Sequence, residues 1–79
     1  MNTRVYKAVI SGKADNNISY NDFQNLIIDL GFVFRRKRGS HSMYYHNGIN
    51  AFINVQKDGS KAKAYQVEQL RNLILKYGL

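Results

Sequence analysis

Ser19-Tyr20-Asn21-Asp22-Phe23-Gln24-Asn25-Leu26-Ile27-Ile28-Asp29-Leu30-Gly31-Phe32-Val33-Phe34 is the stretch whose reading decides the fold, because it contains one helix with its start and stop signals and then a change of hydrophobic period. Ser19 precedes the apolar pattern and Asp22 follows three residues later, a capping box with the shorter acid in place of Glu. Phe23, Leu26, Ile27 and Leu30 recur at i, i+3, i+4 and i+7, which is one face of a helix. Gly31 supplies the left-handed cap that ends it. From Phe32 onward Phe32 and Phe34 alternate against Val33, and the basic block Arg35-Arg36-Lys37-Arg38 follows, so a strand is expected from Phe32 to Arg38.

Downstream, Gly39-Ser40 turns or bulges the chain and His41 to Tyr45 reads as a second strand. Asn47-Gly48 signals a two-residue hairpin, since these residues tolerate the positive φ of a type I′ turn. Ile49, Ala51, Ile53 and Val55 alternate with Asn50, Phe52 and Asn54, a third strand with one core face. Lys57-Asp58-Gly59-Ser60 is the next turn. A last helix is expected over Ala64–Tyr77, where Val67, Leu70, Ile74 and Tyr77 share a face, Lys76 complements the dipole and Gly78 closes the end. Upstream, Val5, Tyr6, Val9 and Ile10 suit a short amphipathic helix ending at Ser11-Gly12, followed by a polar loop.

The reading is therefore an α+β fold in a single domain over 1–79. An N-terminal helix and loop occupy 1–18, and an α-β-β-β-α core occupies 19–79, with a three-stranded antiparallel sheet covered by helices on one face. That is the layout of a double-stranded-RNA-binding domain with an additional N-terminal helix.

Charge narrows the partners. Twelve Lys and Arg against five Asp and Glu leave a net charge of +7 on 79 residues. Such a density favours a polyanion, because neutralising phosphates releases condensed counterions; nucleic acid comes first and an anionic membrane second. The absence of cysteine excludes disulfides, thiolate metal sites and a Cys nucleophile. His41 and His46 with scattered carboxylates make a poor zinc set, so neither a metal nor a cofactor is expected. No apolar stretch approaches the roughly 20 residues that span a bilayer and no signal peptide is visible, so a cytoplasmic protein is expected.

Strict alternation would place Arg35 and Lys37 on one face of the first strand and Arg36 and Arg38 on the other. The cluster suits phosphate contact, or else a solvated strand end that resists edge-to-edge pairing. Lys57, Lys61 and Lys63 form a second cluster before the last helix, suited to an anion or to an ordinary polar loop. Tyr44, Tyr45 and Phe52 are either base-stacking residues or cross-strand packing partners. His41 stands beside four cations with an imidazole able to exchange a proton near neutral pH, a candidate general base. Ser40 lacks the base and acid that would make it a nucleophile and suits a backbone or phosphate hydrogen bond. His46 flanks a turn and needs no functional role.

Taken together the residues resemble the HicA toxins of bacterial toxin-antitoxin systems, also called the YcfA-like family. The pattern is Asp22-Phe23 through Leu30-Gly31-Phe32, a basic strand, Gly39-Ser40-His41, a short hairpin, Ile53-Asn54-Val55-Gln56, Lys61-Ala62-Lys63-Ala64-Tyr65-Gln66-Val67 and Leu75-Lys76-Tyr77-Gly78-Leu79. The resemblance implies a metal-independent endoribonuclease that cleaves messenger RNA in the bacterial cytoplasm and is neutralised by a HicB antitoxin. The family's catalytic histidine maps onto His41. Ser42 stands where many members carry a second histidine, and Lys57 and Ala64 stand where many carry proline.

On that reading His41 takes the proton of a ribose 2′-hydroxyl, Arg35, Arg36, Lys37, Arg38, Ser40, Lys61 and Lys63 hold the RNA, and the proton for the leaving oxygen comes from Tyr44, a lysine or His41 itself. The alternatives are a non-catalytic module that grips duplex RNA by shape, and a protein-interaction domain whose basic face docks an acidic partner.

Overall fold

The computed structural model describes residues 1–79 and shows the elements α1 (Thr3–Ser11), α2 (Tyr20–Asp29), β1 (Val33–Arg38), β2 (His41–His46), β3 (Ala51–Asp58), β4 (Lys61–Ala62) and α3 (Ala64–Tyr77). It is a small α+β domain of three helices and one antiparallel sheet of four strands, ordered β1-β2-β3-β4. No helix is long and apolar enough to cross a membrane.

Helix α2 begins and ends on local chemistry. The Ser19 hydroxyl accepts a hydrogen bond from the Asp22 amide at 3.0 Å. The reciprocal arm of the capping box is replaced by a surface ion pair, the Asp22 carboxylate lying 3.7 Å from the Arg4 guanidinium. At the C-terminus the Gly31 amide donates to the Ile28 carbonyl at 3.0 Å and the Phe32 amide to the Ile27 carbonyl at 3.2 Å. This is a Schellman motif, with Gly31 at φ +101° and the buried pair Ile27 and Phe32 supplying its apolar contact. Phe32 thus belongs to the helix stop, and the strand starts one residue later than expected.

The sheet has one strand more than the three expected. Lys61 pairs with Asp58 and Ala62 with Lys57, across a two-residue turn at Gly59-Ser60. A two-residue strand has no period to read. It forms because its outer edge is also satisfied, the Ala62 amide donating to the Ile18 carbonyl at 2.9 Å and the Tyr20 amide to the Ser60 carbonyl at 3.0 Å. Beyond the end of β4, the Gln56 amide donates to the side-chain carbonyl of Gln66, a buried α3 residue, at 2.9 Å.

Of the two hairpin turns, the first falls where expected and the second is longer than expected. Arg38 pairs with His41, so Gly39-Ser40 is a two-residue turn with positive φ at Gly39. Asn47-Gly48 lies instead inside a four-residue loop between the pair His46 and Ala51, and the positive φ falls on Asn50. His46 explains the longer loop. Its Nδ1 accepts the Gly48 amide at 3.0 Å, so the ring proton sits on Nε2, which donates to the Leu30 carbonyl at 3.0 Å. The ring meets Phe32 edge-on at 5.0 Å. The loop therefore wraps an imidazole that ties the hairpin to the end of α2.

The core lies between one face of the sheet and the helices. Tyr44, Ile53, Val55 and Ala62 meet Phe23, Leu26 and Ile27 of α2 and Val67, Leu70 and Ile74 of α3, while α1 adds Val5 and Val9 and packs on both other helices. The Arg71 guanidinium donates to both Asp15 carboxylate oxygens, at 2.9 and 3.1 Å, and to the Val9 carbonyl at 3.0 Å. This clamp holds the polar loop after α1 against α3. Donation to the Asp15 carboxylate raises the Arg71 pKa above its ordinary value.

Candidate nucleic-acid interface

Because successive strand residues face opposite sides, β2 sends Ser42 and Tyr44 beneath the helices and His41, Met43 and Tyr45 to the open side. On β3 the open-side residues are Phe52, Asn54 and Gln56, paired rung by rung with Tyr45, Met43 and His41. The third strand of this face depends on an irregularity. Phe34 pairs with Tyr44, the register then shifts, and Arg36, Lys37 and Arg38 pair with Met43, Ser42 and His41.

The bulge leaves Arg35 without a partner and reverses the parity of every residue after it. Strict alternation had Arg35 and Lys37 together and Arg36 with Arg38 on the other side. The structure instead puts Arg36 and Arg38 on the same face as His41, and Arg35 joins them with its guanidinium 5.3 Å from the centre of the Tyr45 ring. Lys37 alone is carried to the helix side. There it lines an open groove of about 800 Å³ between α2 and β1, together with Ile28, Phe34, Tyr44 and Lys57.

Arg36, Arg38, His41, Met43 and Asn54 enclose a depression of about 230 Å³ on the open face. A second depression of about 330 Å³ adjoins it, lined by Arg35, Arg36, Met43 and Phe52. The two share Arg36 and Met43. No carboxylate lines either one, so the positive potential of the guanidinium groups is not cancelled locally. Ser40 stands at the same end as His41, its hydroxyl accepting from the Gln56 side-chain amide at 3.2 Å.

Other expected site residues lie elsewhere. Tyr44, the proposed auxiliary, is buried on the opposite side of the sheet from His41, and its hydroxyl accepts from the Gln24 side-chain amide at 2.6 Å. It cannot deliver a proton on the His41 face. Of the second lysine cluster, Lys57 turns to the helix side, 5.1 Å above the Tyr20 ring. Lys61 is exposed on β4, and Lys63 is the N-cap residue of α3 without a side-chain capping bond. Neither lines the His41 depression. Conversely, sequence reasoning assigned Met43 and Asn54 no role. The signal was present, since Met43 shares the parity of His41 and Asn54 that of Phe52.

Chemically, this face offers one imidazole able to take and return a proton, and guanidinium groups able to stabilise charge on a phosphoryl group. No family model, curated protein or solved structure matches the chain.

Proposed function

We propose that the open face of the sheet binds RNA and that His41 cleaves it, the chain being the toxin of a HicA-like toxin-antitoxin pair. The observation that carries this reading is the placement of His41 in one depression with Arg36 and Arg38 and without any carboxylate. His41 removes the 2′-hydroxyl proton, the 2′-oxygen attacks the adjacent phosphorus, and the bond to the 5′-oxygen breaks. The products are a 2′,3′-cyclic phosphate and a 5′-hydroxyl. Arg36 and Arg38 stabilise the charge on the non-bridging oxygens. With Tyr44 on the other face, the imidazolium formed in the first step is the group that returns a proton to the leaving oxygen. The element order from α2 to α3, with β4 added, supports a kinship with double-stranded-RNA-binding domains, and an acidic HicB-type antitoxin in the bacterial cytoplasm would cover the same basic face.

The test is incubation of RNA with the wild-type protein and with His41→Ala in the presence of a chelator. Cyclic-phosphate ends from the wild type alone are the expected result. Intact RNA with both proteins refutes the nuclease reading. One observation favours a non-catalytic RNA-binding module as the second reading: no other residue lining the depression is a proton donor or acceptor suited to general acid-base catalysis. In that case both proteins bind RNA equally and cut none.

A further inference from the structure

The second depression has no part in the chemistry assigned to His41, yet its lining is specific. Phe52 is a large aromatic residue left 50% exposed on the open face. Its ring lies 4.5 Å from that of Tyr45, tilted by 47°, and Tyr45 is in turn covered by the Arg35 guanidinium. The depression lined by Phe52, Met43, Arg35 and Arg36 therefore combines an aromatic ring, a polarizable thioether and two guanidinium groups. Flat rings, soft sulfur and planar guanidinium groups together are the surroundings in which a nucleobase stacks.

We infer that this depression is a base-binding subsite, taking an unpaired nucleobase against Phe52, and that the ligand of the open face is single-stranded RNA. The inference rests on the proposed RNA-binding reading and deepens it. Arg36 belongs to both depressions, so one guanidinium lies between a phosphate at His41 and a base at Phe52. His41 and Tyr45 are four residues apart on β2, about 13 Å at the strand rise of roughly 3.3 Å per residue. A short extended run of nucleotides covers that span. A duplex does not serve, because its base faces are stacked on their neighbours and only edges and backbone are displayed.

The experiment measures binding in a His41→Ala background, which blocks cleavage, by fluorescence anisotropy at low salt. The probes are a labelled oligoadenylate and the same strand annealed to oligouridylate. Phe52→Leu keeps an apolar side chain against Tyr45 but removes the ring face. It is expected to weaken single-strand binding about tenfold and to leave duplex binding unchanged, with a native circular dichroism spectrum and a thermal midpoint lowered only by the lost ring contact with Tyr45. The chain contains no tryptophan, so Phe52→Trp supplies a sole indole reporter whose emission the oligoadenylate quenches and the duplex does not. This second readout decides the matter if the leucine variant does not fold. Single-strand binding unaffected by Phe52→Leu, or an indole indifferent to the oligoadenylate, overturns the subsite while the RNA-binding reading stands. Failure of the parent to bind either probe overturns both.

Discussion

Gly31→Ala is the substitution whose consequence can be worked through most fully. Gly31 ends α2 at φ +101°, and a Cβ added there would lie 2.9 Å from Nε2 of His46. Two costs follow. Left-handed backbone at a residue with a side chain costs about 1–2 kcal/mol. Displacing the imidazole also breaks its hydrogen bonds to the Leu30 carbonyl and the Gly48 amide, at about 1 kcal/mol each. The total is about 3–4 kcal/mol, and for a domain of this size each kcal/mol lowers Tm by about 4–8 °C.

His46→Ala alone removes the same two hydrogen bonds and the edge-on contact with Phe32, about 2–3 kcal/mol. In the double variant the alanine at position 31 meets no ring, so only its backbone cost remains. The double variant should then cost about 3–5 kcal/mol, roughly 2 kcal/mol less than the sum of the single costs. Equilibrium denaturation followed by circular dichroism measures all three. Additive losses, or a Gly31→Ala variant within 1 kcal/mol of the wild type, would refute the argument that His46 and Gly31 form one tie between hairpin and helix.

Three further outcomes are expected. Because the bulge puts Arg36 on the His41 face and Lys37 on the other, Arg36→Ala should reduce the salt slope of RNA binding by about one, whereas Lys37→Ala should leave it unchanged; equal effects would place the interface elsewhere. Tyr44→Phe should leave any cleavage rate unaltered and lower stability by about 1 kcal/mol through loss of the Gln24 hydrogen bond, so a slowed single-turnover rate with normal folding would restore Tyr44 to the mechanism. Asp15→Asn keeps the shape of the Arg71 clamp but removes its charge assistance and should cost about 1–2 kcal/mol in urea denaturation; an unchanged midpoint would show that the loop after α1 is held by packing alone.

The elements legible in the sequence are those with local causes. Helix α2 could be read from its period together with Ser19 and Gly31, and α3 from Val67, Leu70, Ile74 and Gly78. Even the separation of His41 from Tyr44 was written there, because three positions along a strand lead to the opposite face. The net charge and the histidine beside basic residues were equally plain, and they suffice to direct attention to β1 and β2.

What only the tertiary structure decided is where pairing departs from a simple period. No glycine or proline marks the bulge at Arg35, which is created by the register between β1 and β2. That single inserted residue determines which arginines join His41. Strand β4 exists because Ile18 and Tyr20, distant in sequence, satisfy its outer edge, and the Asn47-Gly48 turn was lengthened by a bond from His46 to Leu30. Local chemistry determined the helices, the three longer strands and the alternation within each strand; β4, the length of the second hairpin loop and the set of arginines that joins His41 depended on pairing between segments apart in the chain, which no local pattern encodes.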